Sequence, residues 1–162
     1  VGYMSFKKKH LFVIFTYVLA YLFFRRVKNP SLNYICTLYY KDKFISFKGF
    51  LDTGNLVKNS KRKDVIIIDK DIINNLLNLN LSFKTMNYND FFNIYNKFPF
   101  DLKQRLSYTF LNYQREKIIL PILNLDKIII EKKDFKKTIY NPCVGVLDIN
   151  ESLALLPLSI LK

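Results

Sequence analysis

Phe50-Leu51-Asp52-Thr53-Gly54-Asn55 is the stretch on which the reading of this chain turns. Two apolar residues lead into an acid, a hydroxyl and a glycine. Upstream, Phe44, Ile45 and Phe47 carry a strand-like pattern toward them. A strand that ends here delivers the Asp52 carboxylate to a fixed point. The Thr53 hydroxyl can hydrogen-bond across to an opposing loop. Gly54 has no Cβ, so two such loops can approach closely. Aspartic proteolysis needs this arrangement: two carboxylates in contact cannot both ionise, so they share one proton and activate a water. No other Asp is followed by Thr-Gly or Ser-Gly. The chemistry would therefore need two chains, each giving an Asp52 at a two-fold axis. The tripeptide alone is also ordinary turn chemistry, in which Asp52 would only cap a turn.

Working outward, residues 32–50 read as a hairpin. Tyr34, Cys36, Leu38 and Tyr40 alternate with their neighbours, Lys41-Asp42-Lys43 makes the turn, and the strand resumes at Phe44. Residues 65–68 are a β-branched run and predict a strand. Asp69 or Asp71 can cap a short helix through Leu79, with Ile72, Ile73, Leu76 and Leu77 at helical spacing. Residues 83–98 are rich in aromatics and Asn and carry no clear period. Strands are predicted at 118–123 and 127–131, joined through Asn124-Leu125-Asp126. A last strand at 143–149 is expected to break at Gly145, and the apolar tail 152–161 reads as a short helix. The domain is mostly β.

Composition narrows the function. Half of the 162 residues are hydrophobic, so the chain can build a core. The net charge is +13, and six of the positive charges fall in the first thirty residues, which hold no acid. The remainder carries 20 basic and 13 acidic residues without a basic helix stripe, a zinc-finger spacing or an aromatic RNA-binding signature. No nucleic-acid partner is expected; a basic peripheral protein binding lipid or nucleic acid is the outlying alternative. The single histidine, His10, nearly excludes histidine-based dyads and triads. Cys36 and Cys143 form no metal-type pair and read as two buried thiols in a reducing compartment. No cofactor and no metal are expected.

Residues 11–24 form an uncharged apolar run with Lys7, Lys8 and Lys9 before it and Arg25 and Arg26 after it. As a helix these 14 residues span about 21 Å, short of the ~30 Å hydrocarbon core, a gap that snorkelling Lys and Arg can bridge. A cleaved signal peptide lacks its small-residue cleavage site here, and a core helix would not be apolar on every face. A transmembrane helix is the favoured reading, with its orientation left open by positive charge on both flanks.

The string Gly49-Phe50-Leu51-Asp52-Thr53-Gly54-Asn55-Leu56 resembles the active loop of the sporulation sigma-E-factor processing peptidase family. The strand from Asp64 to Ile68, the Asp126-Lys127 pair between two later strands, the Val144-Gly145-Val146-Leu147 strand and the Ala154-Leu155-Leu156-Pro157 tail are similar in order and spacing. Gly49, Gly54 and Gly145 fall at the motif positions, three of the four glycines in the chain. The chain departs from the family at Ser107, where a Pro is usual, and at residues 109–114, where glycines of a flap are replaced. The resemblance implies a retropepsin-like half-barrel: a closed β domain with one or two short helices, preceded by one transmembrane helix. It divides the chain into a membrane anchor, residues 1–30, and a protease domain, residues 31–162. It further implies Asp52 as the catalytic residue, Thr53, Gly54 and Asn55 as loop support, and a homodimer at the cell membrane with its protease domain in the cytoplasm. The implied substrate is a membrane-associated pro-protein such as a pro-sigma factor, cleaved during sporulation. The alternative is a non-catalytic, membrane-anchored retropepsin-like module that dimerises or binds a partner.

Overall fold

The alternation at the start of the domain produces the first strand pair. β1 (Asn33–Tyr40) and β2 (Lys43–Asp52) run antiparallel with Cys36 opposite Phe47 and Leu38 opposite Ile45, so one side of each strand is buried. Lys43, expected in the turn, opens β2 instead, and β2 continues to Asp52. The computed structural model describes residues 33–83 and 87–162. The apolar segment 11–24 and His10 lie outside the described residues. Among the described residues no helix is long and apolar enough to cross a membrane.

β3 (Val65–Asp69) buries all five of its residues. Ile66 and Ile68 join the larger core on one face of the sheet, and Val65 and Ile67 join a smaller cluster on the other. Burial on both faces accounts for its unbroken β-branched run. Helix α1 (Lys70–Leu77) follows at once, with Asp69 as its N-cap: Asp71 N donates to Asp69 Oδ1 at 2.9 Å. Asn78 takes a left-handed conformation at φ 57° and ends α1 before the expected Leu79. The unassigned stretch contains α2 (Tyr88–Lys97), opened by a capping box between Asn87 and Asp90. A single turn, α3 (Phe100–Lys103), follows Pro99. Three helices are thus described where one or two were expected.

β4 (Leu106–Tyr113) and β5 (Glu116–Asn124) form a hairpin. Its turn is Gln114-Arg115, with both residues at positive φ, 49° and 68°. β6 (Lys127–Lys132) and β7 (Phe135–Tyr140) form another, and β8 (Cys143–Leu147) and β9 (Leu153–Pro157) complete the sheet. The strand order is β4-β5-β8-β3-β9-β2-β1-β6-β7.

Two expectations are corrected by this topology. Among the described residues the sheet is open, not closed: β4 and β7 are edges, each paired on one side only. The tail is a strand followed by a 3-10 turn (Leu158–Leu161), not a helix. A short apolar run does not distinguish helix from buried strand by period. Here β9 inserts between β3 and β2, antiparallel to the first and parallel to the second. Gly145 does not break β8 either. The strand runs straight through it, because a Cβ there would stand 2.7 Å from Leu120 Cδ2 and 2.9 Å from Val65 Cγ1. Both cysteines are buried free thiols, and burial pushes Cys36 up to about 12.

Candidate active site

Asp52 is the last residue of β2, opposite Pro157 of β9 in parallel register. Behind it, β2 is held against its neighbours by an intimate contact at Gly49, where a Cβ would lie 2.5 Å from Cys36 Sγ and 2.9 Å from Leu156 Cδ1. The strand end that carries the acid is therefore fixed by backbone close to side chain, with no room to slide.

The four residues named from the sequence form one turn. Asn55 N donates to Asp52 O at 3.1 Å, and Gly54 N donates to Asp52 Oδ1 at 2.9 Å. The second bond fixes the carboxylate and supplies a donor to its ionised form. A Cβ on Gly54 would sit 3.2 Å from that same Oδ1, so glycine is what allows the approach. Asp52 is half-buried and Thr53 is exposed at the tip of the turn.

Asn55 is the clamp. It is buried, and its Nδ2 donates to Val65 O of β3 at 3.0 Å and to Leu155 O of β9 at 3.2 Å. Its Oδ1 accepts from Val57 N at 3.2 Å. One side chain thus ties the turn to two central strands and to the segment that follows. Beyond it the loop braces itself. Lys58 bridges to Asp64 by backbone pairing and by an ion pair, and Asn59 Oδ1 accepts from Lys61 N and Lys63 N at 3.0 and 2.9 Å. Leu56, beside the turn, is 79% exposed.

Other acids have structural partners. Asp69 is buried, accepting from Asp71 N and, at 3.0 Å, from Ile149 N. Asp148 pairs with Lys70 at 2.8 Å and Asp126 with Arg105 at 2.6 Å. Asp101 pairs with Lys41 at 2.6 Å and also accepts from Tyr40 Oη; these two partners hold its carboxyl down at about 2. Asp52, like Asp69, accepts from backbone N–H, but it is half-buried where Asp69 is buried.

The sequence did not bring out the hairpin β4–β5 beside this loop. Thr109 Oγ1 of β4 donates to Lys58 O at 3.1 Å. A groove of about 620 Å³ runs between the loop, at Asn59 and Ser60, and the aromatic side chains Phe91, Phe92, Tyr108 and Phe110 of α2 and β4. The signal available for α2 was the Asn87-x-x-Asp90 spacing of its capping box. For the hairpin no glycine marks the turn, so the usual signal was missing. The Arg105–Asp126 pair joins the stretch where the chain departs from the family, near Ser107, to the Asp126-Lys127 pair that carried the resemblance, a contact not foreseen.

No curated protein and no solved structure matches the chain. The geometry of a glycine-lined Asp52 turn, hung from the centre of a mostly-β domain, is nonetheless accompanied by a family match. Residues 4–153 match the peptidase family described as sporulation factor SpoIIGA, and the chain belongs to that family.

Proposed function

We propose that this chain is a membrane-tethered aspartic endopeptidase, active as a homodimer, that cleaves a membrane-associated pro-protein such as a pro-sigma factor. The observation that carries the reading is the Asp52 turn, whose carboxylate is fixed at Oδ1 by Gly54 N at the end of a packed strand. The chain has one such turn, so a second chain supplies the other acid. The 79% exposed Leu56 beside it suits a face that a second copy covers. In the dimer the two Asp52 carboxyls share one proton. The ionised one takes a proton from water, which attacks the scissile carbonyl. The protonated one polarises that carbonyl and then protonates the leaving amine. The β4–β5 hairpin and the aromatic groove beside the loop give an extended substrate a wall on one side.

The residues 11–24 tether the enzyme to the surface that holds its substrate, which raises the effective concentration of each for the other. The domain works in the cytoplasm. The test is cleavage of a membrane-bound pro-sigma factor by full-length chain in vesicles, wild type and Asp52→Ala. The variant should bind substrate and leave it intact. Mixing the two in equal amounts should leave about a quarter of the wild-type activity, because only pairs of two intact chains cleave. Activity that falls only by half means that a single chain suffices. A variant that still cleaves removes Asp52 from the mechanism.

A further inference from the structure

An antiparallel sheet with one face on the core normally turns polar residues outward on the other. The β2–β1–β6–β7 half of this sheet mixes the two: Thr37, Ser46 and Thr138 face outward, but so do several aromatic and aliphatic side chains. On the side away from α1 and α2, Ile35 stands beside Lys48, Tyr39 beside Phe44, and Asn33 beside Phe50. β6 places Lys127 next to Tyr39 on the same side, and β7 places Tyr140 next to Lys127. Ile35, Phe44 and Tyr140 are 61%, 66% and 72% exposed. Register puts all three on one face of the sheet, with the Thr37–Ser46 pair between Ile35 and Phe44. Tyr39 packs against Phe44 with ring centroids 5.7 Å apart, and Lys127 Nζ lies 4.3 Å from the Tyr39 centroid. Of the acids on this side, Glu131 is paired with Lys136 at 2.7 Å and Asp52 lies at the far end of β2, so Lys48 and Lys127 leave the rest of the surface positive.

We propose that this sheet face rests on an anionic lipid bilayer by its end away from Asp52, with Phe44, Ile35 and Tyr140 entering the interface and Lys48 and Lys127 reaching the headgroups. Aromatic and aliphatic side chains interleaved with Lys are what such a boundary selects, since Lys stems lie along apolar surface while the ammonium stays among anionic groups. A second copy of the chain fits less well: two positive faces meeting would set Lys against Lys. The route of the chain points the same way. β1 begins at Asn33 on this surface, and only residues 25–32 separate it from the apolar segment. Fully extended, those eight residues reach about 29 Å. The proposal rests on the tethering part of the proposed function and not on its catalytic part. It makes the domain lie on the membrane rather than swing from it, which sets the height and orientation at which substrate is met.

The chain has no Trp, so a single indole reports its own surroundings. Full-length Phe44→Trp and, as reference, Phe92→Trp on the exposed side of α2 are placed in vesicles of brominated phosphatidylcholine with or without phosphatidylserine. With phosphatidylserine, the indole at position 44 should be quenched several-fold more than that at position 92. Adding Lys48→Glu and Lys127→Glu should abolish the excess. Equal quenching at the two positions in a chain that floats with the vesicles overturns the face and leaves the tether standing. An unquenched indole at position 44 whose emission shifts to the blue with protein concentration assigns the face to a second copy and overturns the proposal. A chain that does not float with the vesicles overturns face and tether together, while cleavage by Asp52 is read separately.

Discussion

The centre of the sheet and its β4–β5 edge hold a strand in place by opposite means. β3 and β8 bury every residue, and close approach at Gly145 leaves no space for a methyl group. No residue of β4 is fully buried; the strand is held by pairing with β5, by the aromatic side chains of α2 and by the Thr109–Lys58 bond. Segments with few buried apolar contacts open at low cost, whereas a packed centre opens only with the whole domain. The Asp52 turn hangs from the centre through Asn55, and the aromatic groove lies along the edge. The molecule keeps its acid rigid and its wall compliant.

The largest effect should come from the acid itself. Asp52→Ala removes a proton-transfer group and is expected to lower cleavage by about 10³-fold or more, with the unfolding midpoint nearly unchanged. Circular dichroism and a cleavage assay on the same preparation check both halves. A drop in stability matching the drop in activity would make Asp52 a cap and nothing more.

The contrast between centre and edge is broken or kept by a pair of small substitutions. Gly145→Ala drives a methyl into Leu120 and Val65 and should cost about 1–3 kcal/mol. Thr109→Ala at the edge should stay within about 0.5 kcal/mol. Urea unfolding of the detergent-solubilised full chain measures both. If Thr109→Ala proves the costlier, the edge is not the compliant part. Between them lies Asn55→Ala, which takes a donor from the buried carbonyl of Val65 and the part-buried one of Leu155 and should cost about 1–2 kcal/mol. At equal folded fraction it should slow cleavage more than Gly145→Ala, because it loosens the turn that aims the carboxylate. Equal rates would detach Asn55 from positioning.

The same contrast explains what the sequence disclosed. β1, β2, β3 and β5 were legible because burial on one or both faces writes itself as alternation or as an unbroken apolar run. The Asp52 turn was legible because its residue types are each demanded by geometry. β4 and β7 are half-exposed, with mixed side chains that carry no period. Gln114-Arg115 adopts a turn normally marked by glycine, and β9 is apolar on a stretch too short to show its period. Openness of the sheet was unreadable for a related reason: it depends on where β9 inserts, a long-range pairing that local pattern does not encode. The Asn55 clamp could be named as loop support, but its reach to Val65 and Leu155 needed β3 and β9 side by side.

The smallest expected effect tests whether the insert between β3 and β4 is tied down by charge. Asp101 of α3 meets Lys41 and Tyr40 at the β1–β2 tip, and these hold its carboxyl at about 2 against an ordinary 3.8. A carboxyl whose folded value is lowered contributes stability above its unfolded value and loses it as pH falls through the folded one. The contribution is therefore whole above about pH 4 and gone near pH 2. The Asp101 side chain is 42% exposed, so solvent screens the pair and the gain is small. Asp101→Asn should lower the melting temperature slightly at neutral pH, and the gap from wild type should close between pH 4 and pH 2 as the wild-type carboxyl takes up its proton. A gap that stays constant through this window would mean that Asp101 holds the insert by shape, and that the edge of the molecule owes nothing to the charge at its margin.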